Sequence, residues 1–208
     1  MSEQDDEMQN TPLKIGAVVL AAGLSQRMGQ PKMILPWGET TVIGRVVGVL
    51  QSAAVQEIVV VTGGAHQKVE EALQGLPAKA VLNPNYTNGQ MLLSLQTGLK
   101  ALPDDVTAAL VTLGDQPQIE SAVVQAVVQD AQSSGANLVL PSYQMRRGHP
   151  WLVHRRLWPR LLAFHDPLTL RDFLKQQAAE IRYLVVETPS ILADLDTPED
   201  YARQRPVI

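Results

Sequence analysis

The strongest constraint on this chain is a recurrence. Short runs of β-branched and aliphatic residues, each closed by turn formers, alternate with longer amphipathic stretches. Ile15–Ala21, Glu57–Thr62, Lys79–Leu82, Ala108–Gly114 and Asn137–Leu140 read as strands. Thr41–Ala53, Gln67–Leu73, Gln90–Leu102 and Ile119–Ser133, between them, read as helices. The strand runs are almost continuously apolar rather than alternating, which is the pattern of strands covered on both faces, as in a parallel sheet. The order β-α-β-α therefore predicts an α/β fold with right-handed crossovers. After Pro141 the pattern loosens. Pro150–Val153 and Arg182–Glu187 read as strands, with helices near Arg155–Ala163 and Leu168–Gln177. This part predicts an antiparallel member of the sheet in the C-terminal third, or a small subdomain.

The chain has 208 residues, enough for one domain burying roughly 70% of its unfolded surface. No internal repeat or linker divides it, so the expectation is a single-domain, three-layer α/β/α, Rossmann-like architecture over residues 13–208, preceded by a disordered acidic tail at 1–12. The net charge of −4 is local to that tail. Residues 1–12 carry Glu3, Asp5, Asp6 and Glu7 and no base, which leaves 17 acidic against 17 basic residues. A near-neutral folded part argues against a large nucleic-acid face or a polybasic membrane patch. The absence of cysteine excludes disulfides and thiolate-held metals and fits a reducing compartment. The acidic N-terminus does not read as a signal peptide, and no apolar run approaches the ~20 residues of a spanning helix. The expectation is a soluble cytoplasmic protein that uses neither nucleic acid nor membrane.

The first strand leads into Gly23-Leu24-Ser25-Gln26-Arg27-Met28-Gly29-Gln30-Pro31-Lys32. In open α/β sheets ligands bind beyond the carboxyl ends of strands. Glycine there lets backbone N–H groups approach a phosphate. Arg27 offers a forked donor and Lys32 a mobile point charge. A solvated surface connection is the competing reading. The stretch matches neither G-x-x-x-x-G-K-[ST] nor G-x-G-x-x-G. In "LVTLGDQP" a second apolar run ends by presenting Asp115, either a carboxylate suited to Mg²⁺ or a cap on the following turn. In "LADLDTPEDY", Asp194 and Asp196 leave a strand-like run, and Thr197-Pro198 reads as a helix start. Asp196 is a second metal carboxylate or a capping residue. A cationic glycine loop and separate carboxylates at strand ends are together the inventory of metal-assisted nucleotidyl transfer.

"LAAGLSQRMGQPK", Leu20–Lys32, resembles the signature L-A-[AG]-G-x-S-x-R-M-G-x-[PD]-K of the MobA-like NTP transferases at every defined position. "LPWGETTVI", "VVVTG", "NPNYTNGQ", "TLGDQP", "RGHP" and "DLDTPEDY" follow in the family's order. The branch to which the chain is most similar, the molybdenum-cofactor cytidylyltransferases, implies Mg²⁺ as cofactor, CTP and molybdopterin as substrates, and pyrophosphate as product. It also implies a molybdoenzyme or chaperone as transient partner. By this resemblance Ala21, Ala22, Gly23 and Ser25 lie along the nucleotide and Arg27 and Lys32 on its phosphates. Asp115 and Asp196 hold the metal, and Asn83 and Gly89 line the nucleotide pocket. Many relatives read G-M-G-S-S after that point. Here the segment is Gly89-Gln90-Met91-Leu92-Leu93-Ser94, which leaves Ser94 as the nearest hydroxyl.

His149 follows Arg146 and Arg147 just before a strand, and can meet an acceptor phosphate or serve as a turn residue before Pro150. Arg171 in "LTLRDFL" is an acceptor-site candidate set against a solvated helix face. His66, His154 and His165 have no metal-ligand spacing and read as structural or exposed. The chemistry implied is in-line attack on an α-phosphorus, resting on positioning and charge neutralisation. The alternatives are a guanylyltransferase or sugar-phosphate nucleotidylyltransferase on the same scaffold, or a non-catalytic nucleotide-binding partner of a molybdoenzyme.

Overall fold

β1, Ile15–Ala21, sits at the middle of an eight-stranded sheet and explains why its sequence is apolar throughout. It pairs in parallel with β4 (Glu57–Thr62) on one side and with β6 (Ala108–Leu113) on the other, Val18 standing beside Val59 and Val111. Ala17, Val19 and Ala21 enter one core cluster, and Val18 and Leu20 the other. The first cluster takes helix residues such as Val46, Leu50, Val69 and Val127; the second takes Leu95, Leu99, Leu161 and Phe173. Helices thus cover both faces of one sheet, the three-layer α/β/α arrangement that the run of apolar strands predicts. This computed structural model describes residues 13–88 and 91–206, and the expected acidic tail and Gly89 lie outside them.

The remaining strands are β2 (Pro36–Trp37), β3 (Thr40–Thr41), β5 (Lys79–Leu82), β7 (Leu138–Tyr143), β8 (Arg146–Arg147), β9 (Trp151–His154) and β10 (Ile181–Val185). The order across the sheet is β10-β7-β9-β6-β1-β4-β5, with β8 paired to β7. β9 lies antiparallel to both β6 and β7, so the expected antiparallel member is the strand begun at Trp151. The C-terminal third belongs to the same sheet, through β7, β9 and β10, and forms no separate subdomain. β2 and β3 make a small antiparallel pair that sequence reading passed over, turned by Gly38 at φ 59°.

The helices are α1 (Val42–Ser52), α2 (His66–Ala72), α3 (Met91–Ala101), α4 (Ser121–Ser134), α5 (Trp158–Leu162), α6 (Leu170–Gln176) and α7 (Pro198–Gln204). Their starts follow local chemistry. The Thr41 side chain accepts from Gly44 N, and Thr169/Asp172 and Thr197/Asp200 form reciprocal capping boxes. The helix expected over Arg155–Ala163 instead divides into a 3₁₀ turn, Arg155–Leu157, and α5. Pro159 has no N–H to give to the Arg155 carbonyl, which accepts from Trp158 N instead. The strand-like run before Asp194 is not a strand. Pro189–Leu192 is a 3₁₀ turn, and residues 193–196 run on as a strap without regular secondary structure. Among the described residues no helix is long and apolar enough to cross a membrane.

Candidate active site

The loop after β1 doubles back on itself and returns Lys32 beneath the strand's end. Ser25 adopts a left-handed backbone, φ 51°, that costs a non-glycine residue roughly 1–2 kcal/mol. Its Oγ accepts a 3.3 Å hydrogen bond from Lys32 N, tying the outgoing limb to the returning one. A 3₁₀ turn, Gln26–Met28, lies between, and Gly29 continues at φ 66°. A second 3₁₀ turn, Lys32–Ile34, then carries Lys32 inward, where only 8% of it stays exposed.

Three acceptors converge on the Lys32 ammonium. Its Nζ donates to Asp115 Oδ2, to the Leu195 carbonyl at 3.0 Å and to Asp196 Oδ1 at 3.4 Å. Arg27 reaches the other oxygen of Asp196 at 3.0 Å. Residues from β1's loop, from the end of β6 and from the strap before α7 therefore meet at one point. The strap is held there by Leu195 N, which donates to the Asp115 carbonyl at 3.0 Å, and by Gln116 Nε2, which donates to Asp194 Oδ1 at 2.6 Å. Burial raises the Asp194 carboxyl above the ordinary carboxylate pKa, and the charges of Asp115 and Asp196 add to that rise against the Gln116 hydrogen bond.

The carboxylates paired with Lys32 number two, Asp115 and Asp196. Both direct an oxygen at the Lys32 ammonium, so the two carboxylates share one cationic partner. No group of three or more His, Cys, Asp and Glu side chains among the described residues could hold a metal. Two carboxylates, with substrate phosphates completing the shell, is the donor set Mg²⁺ commonly takes.

The convergence forms one wall of a cavity of about 400 Å³ at the carboxyl ends of β1 and β6. Of the residues singled out from sequence, Ala22, Gly23, Ser25, Arg27, Lys32, Ser94, Asp115 and Asp196 line it. Ala21 is the last residue of β1 and faces the core. Asn83 stands behind the wall, 1% exposed, donating to Ser94 Oγ at 3.0 Å and accepting from Asn85 N at 2.9 Å. Its side chain orders the loop rather than lining the cavity. Sequence reasoning missed Leu24, Tyr86 and Met91, which also line the cavity. Tyr86 stood inside the quoted "NPNYTNGQ", and its aromatic ring was the available signal.

His149 and Arg171 do not line this cavity. His149 is partly exposed, its Nε2 is withdrawn from solvent with no partner among the described residues, and its ring stacks on Trp151 at 4.8 Å. Burial lowers its pKa to about 4. Arg146 and Arg147 remain exposed on β8, and Arg171 is exposed on α6. The other histidines have local roles: His66 Nδ1 pairs with Thr62 Oγ1 at 2.7 Å, and His154 Nδ1 accepts from Arg156 N.

The chain is similar to known proteins over most of its length. The model of the MobA-like NTP transferase domain matches residues 17–181. Molybdenum cofactor cytidylyltransferase of Escherichia coli strain K12 is 28% identical over 189 residues, 90% of this chain and 93% of that protein. A "probable molybdenum cofactor guanylyltransferase" of Bacillus mycoides is 27% identical over 74% of this chain and 69% of that protein. The crystal structure of Rv0371c from Mycobacterium tuberculosis H37Rv superposes with a TM-score of 0.81 at 28% identity, covering 93% of this chain and 98% of that one. A structure of Rv0371c in complex with manganese gives a TM-score of 0.72 at 27% identity, with the same coverage.

Proposed function

The chain belongs to the MobA-like NTP transferase family, and from that premise we propose that it transfers CMP from CTP to molybdopterin, releasing pyrophosphate. The observation that carries the reading is the meeting of Lys32, Arg27, Asp115 and Asp196 against the glycine loop at the mouth of one cavity. That set combines cations for a triphosphate with carboxylates for a divalent ion. A binder without turnover has no need of the carboxylate pair. The cytidylyl choice draws on the likeness to the Escherichia coli enzyme and on Ala22, whose methyl narrows the loop. The guanylyl alternative has the Bacillus likeness behind it.

In this reading an oxygen of the acceptor phosphate attacks the α-phosphorus of CTP in line. A new P–O bond forms as the bond to the β-phosphate oxygen breaks, and pyrophosphate leaves. The acceptor is already an anion near neutral pH, so no strong base is required. Mg²⁺ held by Asp115 and Asp196 would neutralise charge on the triphosphate oxygens. Lys32 has its donors committed to two carboxylates and a carbonyl, and the 3.4 Å contact to Asp196 is its longest. Exchanging that contact for a phosphate oxygen lets the ammonium follow the charge that builds on the leaving group. Arg27, exposed and paired to the same Asp196, can turn its planar fork to the phosphates. A cytoplasmic setting belongs to the same proposal.

The experiment is direct. The protein is incubated with each NTP, Mg²⁺ and molybdopterin, and pyrophosphate release is followed. Release with CTP that depends on molybdopterin is the expected result. Release with no NTP under these conditions would remove the molybdopterin reading.

A further inference from the structure

Beyond the polar end of the cavity, where phosphate chemistry is placed, the structure offers a flat apolar end. Tyr86 starts a 3₁₀ turn, Tyr86–Asn88, in the loop that follows β5. Hydrogen bonds hold the first part of this loop. Asn83 N donates to the Thr62 carbonyl at 2.9 Å, Tyr86 N donates to the Asn83 carbonyl at 3.2 Å, and the buried Asn83 side chain bonds Ser94. The Tyr86 ring lies lengthwise over Gly63 and Gly64. A Cβ on Gly63 would stand 3.0 Å from Tyr86 Cβ and Cγ, and one on Gly64 would stand 3.3 Å from Tyr86 Cε2.

The same glycine pair sets the position of the nucleotide loop. A Cβ on Gly63 would come within 2.5 Å of the Ala22 carbonyl oxygen, so only glycine lets the loop settle against the end of β4. Gly63 thereby fixes the spacing between Ala22 and Tyr86, two residues that line the cavity. Leu24 and Met91, two of the large hydrophobic side chains left exposed, line it as well. The Tyr86 hydroxyl has no hydrogen-bond partner among the described residues. An aromatic plane and two exposed apolar side chains next to a cationic loop match a ligand with a flat aromatic part and a polyanionic part.

We infer that Tyr86, seated on Gly63-Gly64, is the wall against which the nucleobase packs, and that it determines affinity for the base separately from the phosphates. The inference rests on the nucleotide-binding reading of this cavity. Aromatic contact is sequence-tolerant and substantial, since removing a stacking ring weakens binding of a base by roughly tenfold or more.

The test compares binding of CTP and of inorganic tripolyphosphate by calorimetry to the parent, Tyr86→Phe, Tyr86→Ala and Gly63→Ala. Tyr86→Ala is expected to weaken CTP roughly tenfold or more while leaving tripolyphosphate within about twofold of the parent. Tyr86→Phe keeps the plane and should bind CTP like the parent. Gly63→Ala, which displaces both Ala22 and Tyr86, should weaken CTP as well. Unchanged CTP affinity in Tyr86→Ala would overturn the assignment and leave the nucleotide site standing. An equal loss for CTP and tripolyphosphate would overturn it too, by showing a general disturbance of the loop. Failure of the parent itself to bind CTP would overturn both the assignment and the reading beneath it.

Discussion

Lys32 and Asp115 form an ion pair across 83 positions of sequence, with 11% and 17% of their side chains exposed. Shielding from water makes the pair's electrostatics stronger than those of a surface bridge and makes each partner depend on the other. The candidate site is therefore also a piece of the fold's framework.

Asp115→Ala is accordingly expected to abolish turnover and to lower stability by about 3–5 kcal/mol, because Lys32 is left buried with its ion pair to Asp115 gone and only the longer one to Asp196 in place. A strand-end ligand read from sequence alone predicts almost no loss of stability. The double variant Lys32→Met with Asp115→Asn should recover much of the stability and none of the activity. Denaturant unfolding of the parent, Lys32→Met, Asp115→Asn and the double variant measures the coupling. Parent-like stability in Asp115→Ala would show that the pair does not support the fold.

Arg27 should separate the two effects in the opposite way. Its side chain is 69% exposed, and its bond to Asp196 is a surface ion pair worth about 0–1 kcal/mol. Arg27→Ala should thus leave the melting temperature nearly unchanged while raising the reaction barrier by about 2–4 kcal/mol. Arg27→Lys should restore turnover only in part, because a point charge lacks the bidentate fork. Parent rates in Arg27→Ala would remove this residue from the phosphate site.

Gly148 gives a prediction at a distance from the cavity. A Cβ there would stand 2.2 Å from the Ile191 carbonyl oxygen, and His149 N donates to that same oxygen at 3.3 Å. Gly148→Ala must push away the turn that leads into Asp194 and Asp196. A stability loss of about 1–3 kcal/mol, together with a fall in kcat, is expected. Thermal unfolding and steady-state kinetics on one preparation check both, and a parent-like kcat would show that the strap's position is set elsewhere.

His149 should impose a pH dependence on stability. Its folded pKa of about 4 lies below the ordinary histidine value, so the unfolded chain binds the extra proton between about pH 6.5 and pH 4. Stability is therefore lost as pH falls through that window, by about 3 kcal/mol in total, and is unaffected by this group above it. Unfolding of the parent and of His149→Asn at pH 7.5 and pH 4.5 isolates the contribution. The same slope in both proteins would exclude His149 as its source.

Nucleotide choice is the fourth property open to measurement in turnover. With the Ala22 methyl in the loop that lines the cavity, CTP is expected to exceed GTP in kcat/KM. A single methyl in a pocket is worth about 1–3 kcal/mol of discrimination. Kinetics with both nucleotides and molybdopterin decide it. A GTP preference would leave nucleotidyl transfer intact and end the cytidylyl assignment.

The fold class was legible in sequence because burial on both faces writes itself into a strand as an unbroken apolar run, as in Ile15–Ala21 and Ala108–Leu113. The loop that bears Arg27 and Lys32 and the edge that bears Asp115 were legible for a related reason, since a strand's end fixes where the next residues emerge. Sequence could not show that Lys32 turns inward to Asp115, that the His149 ring stacks on Trp151 with its Nε2 withdrawn from solvent, or that Tyr86 lies on Gly63 and Gly64. Each of these depends on elements far apart in the chain, and local composition says nothing about which of them meet. Arg146 and Arg147 precede His149 in sequence, yet it is the contact of Gly148 with Ile191 and the stack on Trp151 that set the place of the ring. Sequence determined which groups stand at the edge of the sheet; only the packing of the strap and of the β5–α3 loop against that edge decided which of them share one cavity, because close approach is set by tertiary contacts that no local pattern records.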